Sequence, residues 1–240
     1  MNHSPLVIYP DSTVTLPPRY CGDVGYYALM AQYGNAVIDF SMRYNKRDKA
    51  CHRCEIEGAN GVQRLTVPLE KGAGGPVAGL RVSDHGEWWN VHWGAIYSAY
   101  GRTPYFEYYA DDFLPAFQGN IHSLMELDIM LDAIIRRILG ITTRVTYNKL
   151  SSAFSGTSAP SVPSANFTPP PQPSQPTPPS QQLRLSPPCR EARGAGEARE
   201  ARVELTPYYQ VWSSRFGFIP GLSILDLIFN MGTESPLHLR

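Results

Sequence analysis

Apolar residues along this chain change period several times, and each period predicts an element. The clearest run is "SLMELDIMLDAIIRRILG" at 123–140. Leu124, Leu127, Leu131, Ile134, Ile135 and Ile138 recur every three or four positions, the spacing of one buried helical stripe. Ser123 and Glu126 form a capping box, Arg136 and Arg137 stand near the negative helix end, and Gly140 supplies a left-handed stop. Asp128 and Asp132 are four residues apart, pair naturally with Arg136, and read as a solvated face. "EWWNVHWGAIYSAYG" (87–101) is also helical, with Trp89, Trp93, Ile96 and Tyr100 as its apolar face and His92 near the edge. "VGYYALMAQYG" (24–34) predicts a helix with Tyr27, Met30 and Ala31 on one side, and "PYFEYYADDFLPAF" a short aromatic helix.

Other runs are extended. "PLVIYP" (5–10), "AVIDFSMRY" (36–44), "CEIEG" (54–58), "QRLTVPL" (63–69) and "TTRVTYNKL" (142–150) read as strands. Asn60-Gly61 between two of them is a hairpin signal. Alternation of strands and helices predicts an α/β fold, with a mixed, largely parallel sheet flanked by helices.

The pattern then stops. Residues 158–206 are Pro-, Ser- and Gln-rich, then Ala-, Arg- and Glu-rich, and 11 of the chain's 22 prolines lie between Pro160 and Pro188. Such a stretch buries too little to offset its ordering entropy, so a long disordered insertion is expected there. The piece after it, "PYYQVWSSRFGFIPGLSILDLIFNMG", is too short to fold alone and too apolar to stay exposed. It therefore docks back, so that 1–157 and 207–240 make a single α/β domain interrupted by a linker. Ser223 and Asp226 suggest a helix start in that tail, and Gly232 its end.

Composition narrows the partners. The 240 residues carry 21 basic and 21 acidic side chains, so no global field favours nucleic acid. Four cysteines are too few for a disulfide scaffold. The first twenty residues lack the basic and apolar regions of a signal peptide, and no run approaches the roughly 18 apolar residues of a membrane span. A cytoplasmic setting is the expectation.

Candidate chemistry concentrates in "RYNKRDKACHRC" (43–54). Arg43, Lys46, Arg47, Lys49 and Arg53 form a basic strip, relieved only by Asp48. Guanidinium groups grip phosphate bidentately and ammonium groups act as point charges, so the strip suits a diphosphate; a solvated loop is the plain alternative. Cys51 and Cys54 have no second pair to complete a zinc site and run into a strand rather than opening a helix, so they read as ordinary thiols. His92, among tryptophans, is either an acid/base group or a satisfied core residue. Tyr97, Tyr100, Tyr105, Phe106, Tyr108 and Tyr109 could stack on a sugar or be core. No metal site is expected and no phosphate loop or nucleophile elbow is present, so the cofactor stays open.

The ordered series "GYYALM", "RYNKRDKACHRCEI", "RLTVPL", "WWNVHWGAIYSAYGRTPYFEYY" and "LGITT" resembles the WbqC-like protein family. The closing "PYYQVW…FGFIPGLSILDLIFNMG" is similar to the end of its Bacteroidetes branch. The resemblance implies a role in bacterial surface-polysaccharide (O-antigen) assembly. Combined with the residues, it implies group transfer to or from a nucleotide-activated sugar. Arg43, Lys46, Arg47 and Arg53 then hold the anion, Tyr97 and Tyr100 the substrate, and His92 is the acid/base candidate. The other reading is a non-catalytic scaffold that uses strip and aromatics as an interface. The oligomeric state is left open.

Overall fold

The computed structural model describes residues 9–149 and 206–239. The expected disordered insertion, apart from Thr206, lies outside the described residues, as do residues 5–8 of the first expected strand.

Three strands form one parallel sheet in the order β1-β2-β5: β1 is Tyr9–Leu16, β2 Tyr33–Asp39 and β5 Arg144–Asn148. Helix α1, Val24–Ala31, makes the crossover from β1 to β2 and is capped by Asp23, which accepts from the Tyr26 amide. Leu16 faces Ile38, and Asp39 faces Asn148, so the three carboxyl ends share one edge. β2 ends earlier than the apolar pattern suggests. Asp39 Oδ1 takes the Ser41 amide at 3.0 Å and its hydroxyl at 2.5 Å, an Asx turn that diverts the chain.

Antiparallel pairing is present too, but in a second sheet. β3 (Arg53–Gly58) and β4 (Gly61–Thr66) form a hairpin closed at Ala59 and Asn60, with Gly61 at φ 96°. This hairpin does not join the parallel sheet. It packs instead against α2, Trp88–Tyr100, where the Glu57 amide donates to the Tyr100 hydroxyl at 3.2 Å.

The buried face of α2 differs from the expected one. Trp88, His92, Ile96, Ala99 and Tyr100 are buried, while Trp89 and Trp93 are only half-buried. The face is turned by one residue, which moves His92 from its edge to its centre. α3 (Phe106–Phe113) follows, then α4 (Leu124–Ile138), capped by the Ser123 hydroxyl as expected and ended at Gly140 with φ 63°. Leu124, Leu127, Leu131, Ile134 and Ile135 are buried.

The tail carries the short α5 (Ser213–Phe216) and α6 (Ile224–Met231). It is tied to the first segment by backbone bonds. The Ser223 amide donates to Glu55 O at 2.7 Å and the Ile224 amide to Gly22 O at 2.8 Å. Ile224, Leu225, Leu227, Ile228 and Phe229 are all buried, each contributing about 1.5–3 kcal/mol by removal from water. No helix among the described residues is long and apolar enough to cross a membrane.

Candidate functional site

Where three parallel strands end side by side, side chains beyond them define a crevice. Here it is lined by Pro18 and Arg19 after β1, Ile38 and Phe40 at the end of β2, Tyr147 on β5, Tyr26 on α1, and Asp128, Ile129 and Asp132 on α4. It is narrow and closed as it stands to a water-sized body.

Two carboxylates face it from α4, contrary to their reading as a solvated face. Asp128 is 2% exposed and Asp132 5%. Asp132 does make the expected pair: its Oδ2 accepts from Arg136 Nε at 2.8 Å and from the Tyr147 hydroxyl at 3.4 Å, and Arg136 also reaches Tyr147 at 3.1 Å. Asp132 Oδ1 makes no hydrogen bond of good geometry, although the Tyr27 phenol helps to hold the carboxylate charged. Asp128 has nothing comparable. Both its oxygens are buried without a hydrogen-bond partner. Burial, reinforced by the charge of Asp132, pushes its carboxyl well above the ordinary range. Their signal was in the sequence: 128 and 132 fall in phase with 124, 131 and 135 on the apolar stripe.

Arg19 is the rim of this crevice and ties it to the basic loop. Its Nη1 lies 3.9 Å from Asp48 Oδ1, and the Tyr20 amide donates to Ala50 O at 3.1 Å. The loop therefore abuts the crevice. Arg43, Lys46 and Arg47 themselves are exposed, and none of them lines the crevice. Arg53 is half-buried and donates from Nε to Thr66 Oγ1 at 2.8 Å.

His92 lies behind Tyr20. It is 3% exposed, and its Nδ1 is 2.8 Å from the Tyr20 hydroxyl. Arg53 reaches Thr66, whose backbone also acts on the His92 ring. Burial lowers the His92 pKa to about 4, with Thr66 opposing, and the ring is neutral at physiological pH. Tyr20 in turn is raised well above its usual value, first by burial, then by Cys21, Cys54 and Asp128. His92 and Tyr20 thus form a buried polar pair.

The remaining expected residues separate. Tyr97 is 62% exposed and edge-on to Phe106, whereas Tyr100 is wholly buried under the hairpin. Cys51 and Cys54 are buried free thiols, and burial lifts Cys51 to about 12. Among the described residues no group of three or more His, Cys, Asp or Glu side chains is placed to hold a metal.

A second concavity, about 720 Å³, is formed by residues 58–64 of the hairpin with Ser98 and Ala99. It is larger but holds little chemistry, since its one charged group, Arg64, is engaged by Glu55 at 2.8 Å. Behind it sits a further buried carboxylate pair that the sequence did not announce. Glu57 is 0% exposed with both oxygens unpartnered; burial and then Asp226 raise it to about 7. Asp226 accepts from Tyr208, Gln210 and Asn230, yet burial still holds it at about 6.

A family model matches residues 18–159, more than half of the chain. The chain belongs to the WbqC-like protein family. The match spans β2 to β5, the basic loop and both crevice carboxylates; the tail lies beyond it. The chain is also 28% identical over 233 residues to "Uncharacterized protein Rv1507c" of Mycobacterium tuberculosis, covering 90% of this chain and 92% of that one. What these matches establish is the WbqC-like family, not its Bacteroidetes branch. No solved structure matches.

Proposed function

We propose that this WbqC-like protein acts in assembling or modifying a surface glycan, by group transfer to or from an activated sugar bound across the basic loop and the crevice. The observation that carries this reading is the junction at Arg19. There a loop bearing Arg43, Lys46 and Arg47 abuts a crevice at the carboxyl ends of parallel strands, where Asp128 has two unpartnered oxygens. A diphosphate is anionic and fits the loop; a sugar is rich in donors and fits carboxylates and tyrosines. In this arrangement Asp128, held above the usual carboxylate range, is the better acid/base candidate. His92 has its Nδ1 engaged by Tyr20 and becomes a positioning residue that holds that phenol.

Thermal shift with a panel of nucleotide-sugars tests this. At 100 times Kd the stabilisation is about 2.7 kcal/mol, and a Lys46→Glu, Arg47→Glu double variant should lose it. A panel that gives no shift refutes the reading. One observation favours the scaffold alternative: Arg43, Lys46 and Arg47 project into solvent from a loop and line neither concavity. In that case the double variant abolishes capture of a macromolecular partner and leaves the nucleotide-sugars without effect.

A further inference from the structure

We propose that the crevice at the carboxyl edge of the parallel sheet takes a protonated primary amine carried by the ligand, seated against Asp128 and Asp132. The inference deepens the reading above and rests on its crevice, but not on its basic loop.

Charge comes first. Arg136 offsets Asp132, whereas no ion pair reaches Asp128 among the described residues. Among the described residues Asp128 is therefore the acidic group of the crevice with no cation matched to it. Hydrogen bonding comes second. Asp128 presents two buried oxygens without partners, and Asp132 Oδ1 beside them is under-used. An ammonium carries three N–H donors and matches this set. Protonating Asp128 removes its charge but leaves both oxygens without hydrogen bonds, so protonation alone does not complete the site. A divalent cation fits less well, because it needs six or more oxygen ligands and these residues offer two carboxylates.

The walls agree with a cation. Tyr26, Phe40 and Tyr147 line the crevice, and aromatic faces attract an ammonium, most strongly away from water. Entry requires the rim to give, and Arg19 is suited to it: among the described residues its one ion pair is the 3.9 Å contact to the exposed Asp48. Binding at the basic loop would compete for that same Asp48 neighbourhood, so the two halves of a ligand are coupled at the rim.

The shared chemistry, a primary ammonium, could belong to an amino sugar or to an amino acid derivative. The experiment is thermal shift of the full chain with D-glucosamine, D-glucose, N-acetyl-D-glucosamine and L-alaninamide, none of which carries phosphate. The expected result is a rise of about 3 °C at ten times Kd with glucosamine and none with glucose or the N-acetyl sugar. The rise should vanish in Asp128→Asn, which keeps the side chain's shape. It should vanish too in Ile129→Phe, which fills the crevice from the same helix and leaves both carboxylates in place. A response to alaninamide alone supports the amine site and assigns it to an amino acid source. The proposal is overturned if no amine raises the melting temperature, if glucose matches glucosamine, or if either variant keeps the response. Failure of nucleotide-sugars with success of free amines would remove the basic-loop reading and leave this one.

Discussion

At the residue scale, two buried titratable groups set opposing dependences on pH. Glu57 is raised to about 7 by burial and Asp226, with Tyr208 also within reach of its charge. An acid whose folded pKa is raised binds its proton longer in the folded state. Its cost is absent below about pH 4.5, grows through the interval up to about 7, and stays constant above. His92 works the other way. Its folded value of about 4 lies below the ordinary 6.5, so the unfolded chain takes the proton first and stability is lost as pH falls between those values. Glu57→Gln should therefore raise stability above pH 7, by on the order of 3 kcal/mol, and flatten the decline between pH 4.5 and 7. His92→Gln should flatten the rise between pH 4 and 6.5. Urea melts across pH 4–8 read both slopes, and unchanged slopes in either variant would contradict the burial described.

At the element scale, the junction between α6 and the loop before α3 is the tightest joint. Gly232 caps α6 at φ 52°, and a Cβ there would overlap the Tyr105 ring. Gly140 caps α4 at φ 63° with open space around it. The two positions share a backbone demand and differ in packing. Gly140→Ala should cost about 1 kcal/mol from the left-handed backbone alone. Gly232→Ala should cost about 3 kcal/mol, because the ring must also move. Equal losses in chemical denaturation would mean that the tail is not seated as described.

At the scale of the whole molecule, the tail completes a core that the first segment leaves open. Ser223 bonds the Cys21 carbonyl through its hydroxyl and Glu55 through its amide, and Phe229 packs against Tyr100, Phe106 and Phe113. Deleting 158–200 should then leave one cooperative transition with a melting temperature within a few degrees of the parent, since loop length enters closure entropy only logarithmically. Ending the chain at residue 205 should abolish that transition. Calorimetry of both shortened chains distinguishes a single interrupted folding unit from two independent ones.

Local pattern was enough to read α4 with its cap and stop, the hairpin turn beside Asn60-Gly61, the apolar character of the tail, and the basic loop. Each of these depends on neighbours within a turn or two of chain, and the ordered motifs between 18 and 150 carried the family. What the tertiary structure alone decided is where polar atoms end up. Asp128 shares the phase of a buried stripe, but whether it meets solvent or the ends of β1, β2 and β5 depends on how three separate strands assemble, β1 among them more than a hundred residues away in sequence. Glu57 meets Asp226, and His92 meets Tyr20, in the same way. Hydrophobic periodicity reports which side of an element faces inward. The partner a carboxylate or imidazole finds there is set by packing between distant segments, which no local period encodes.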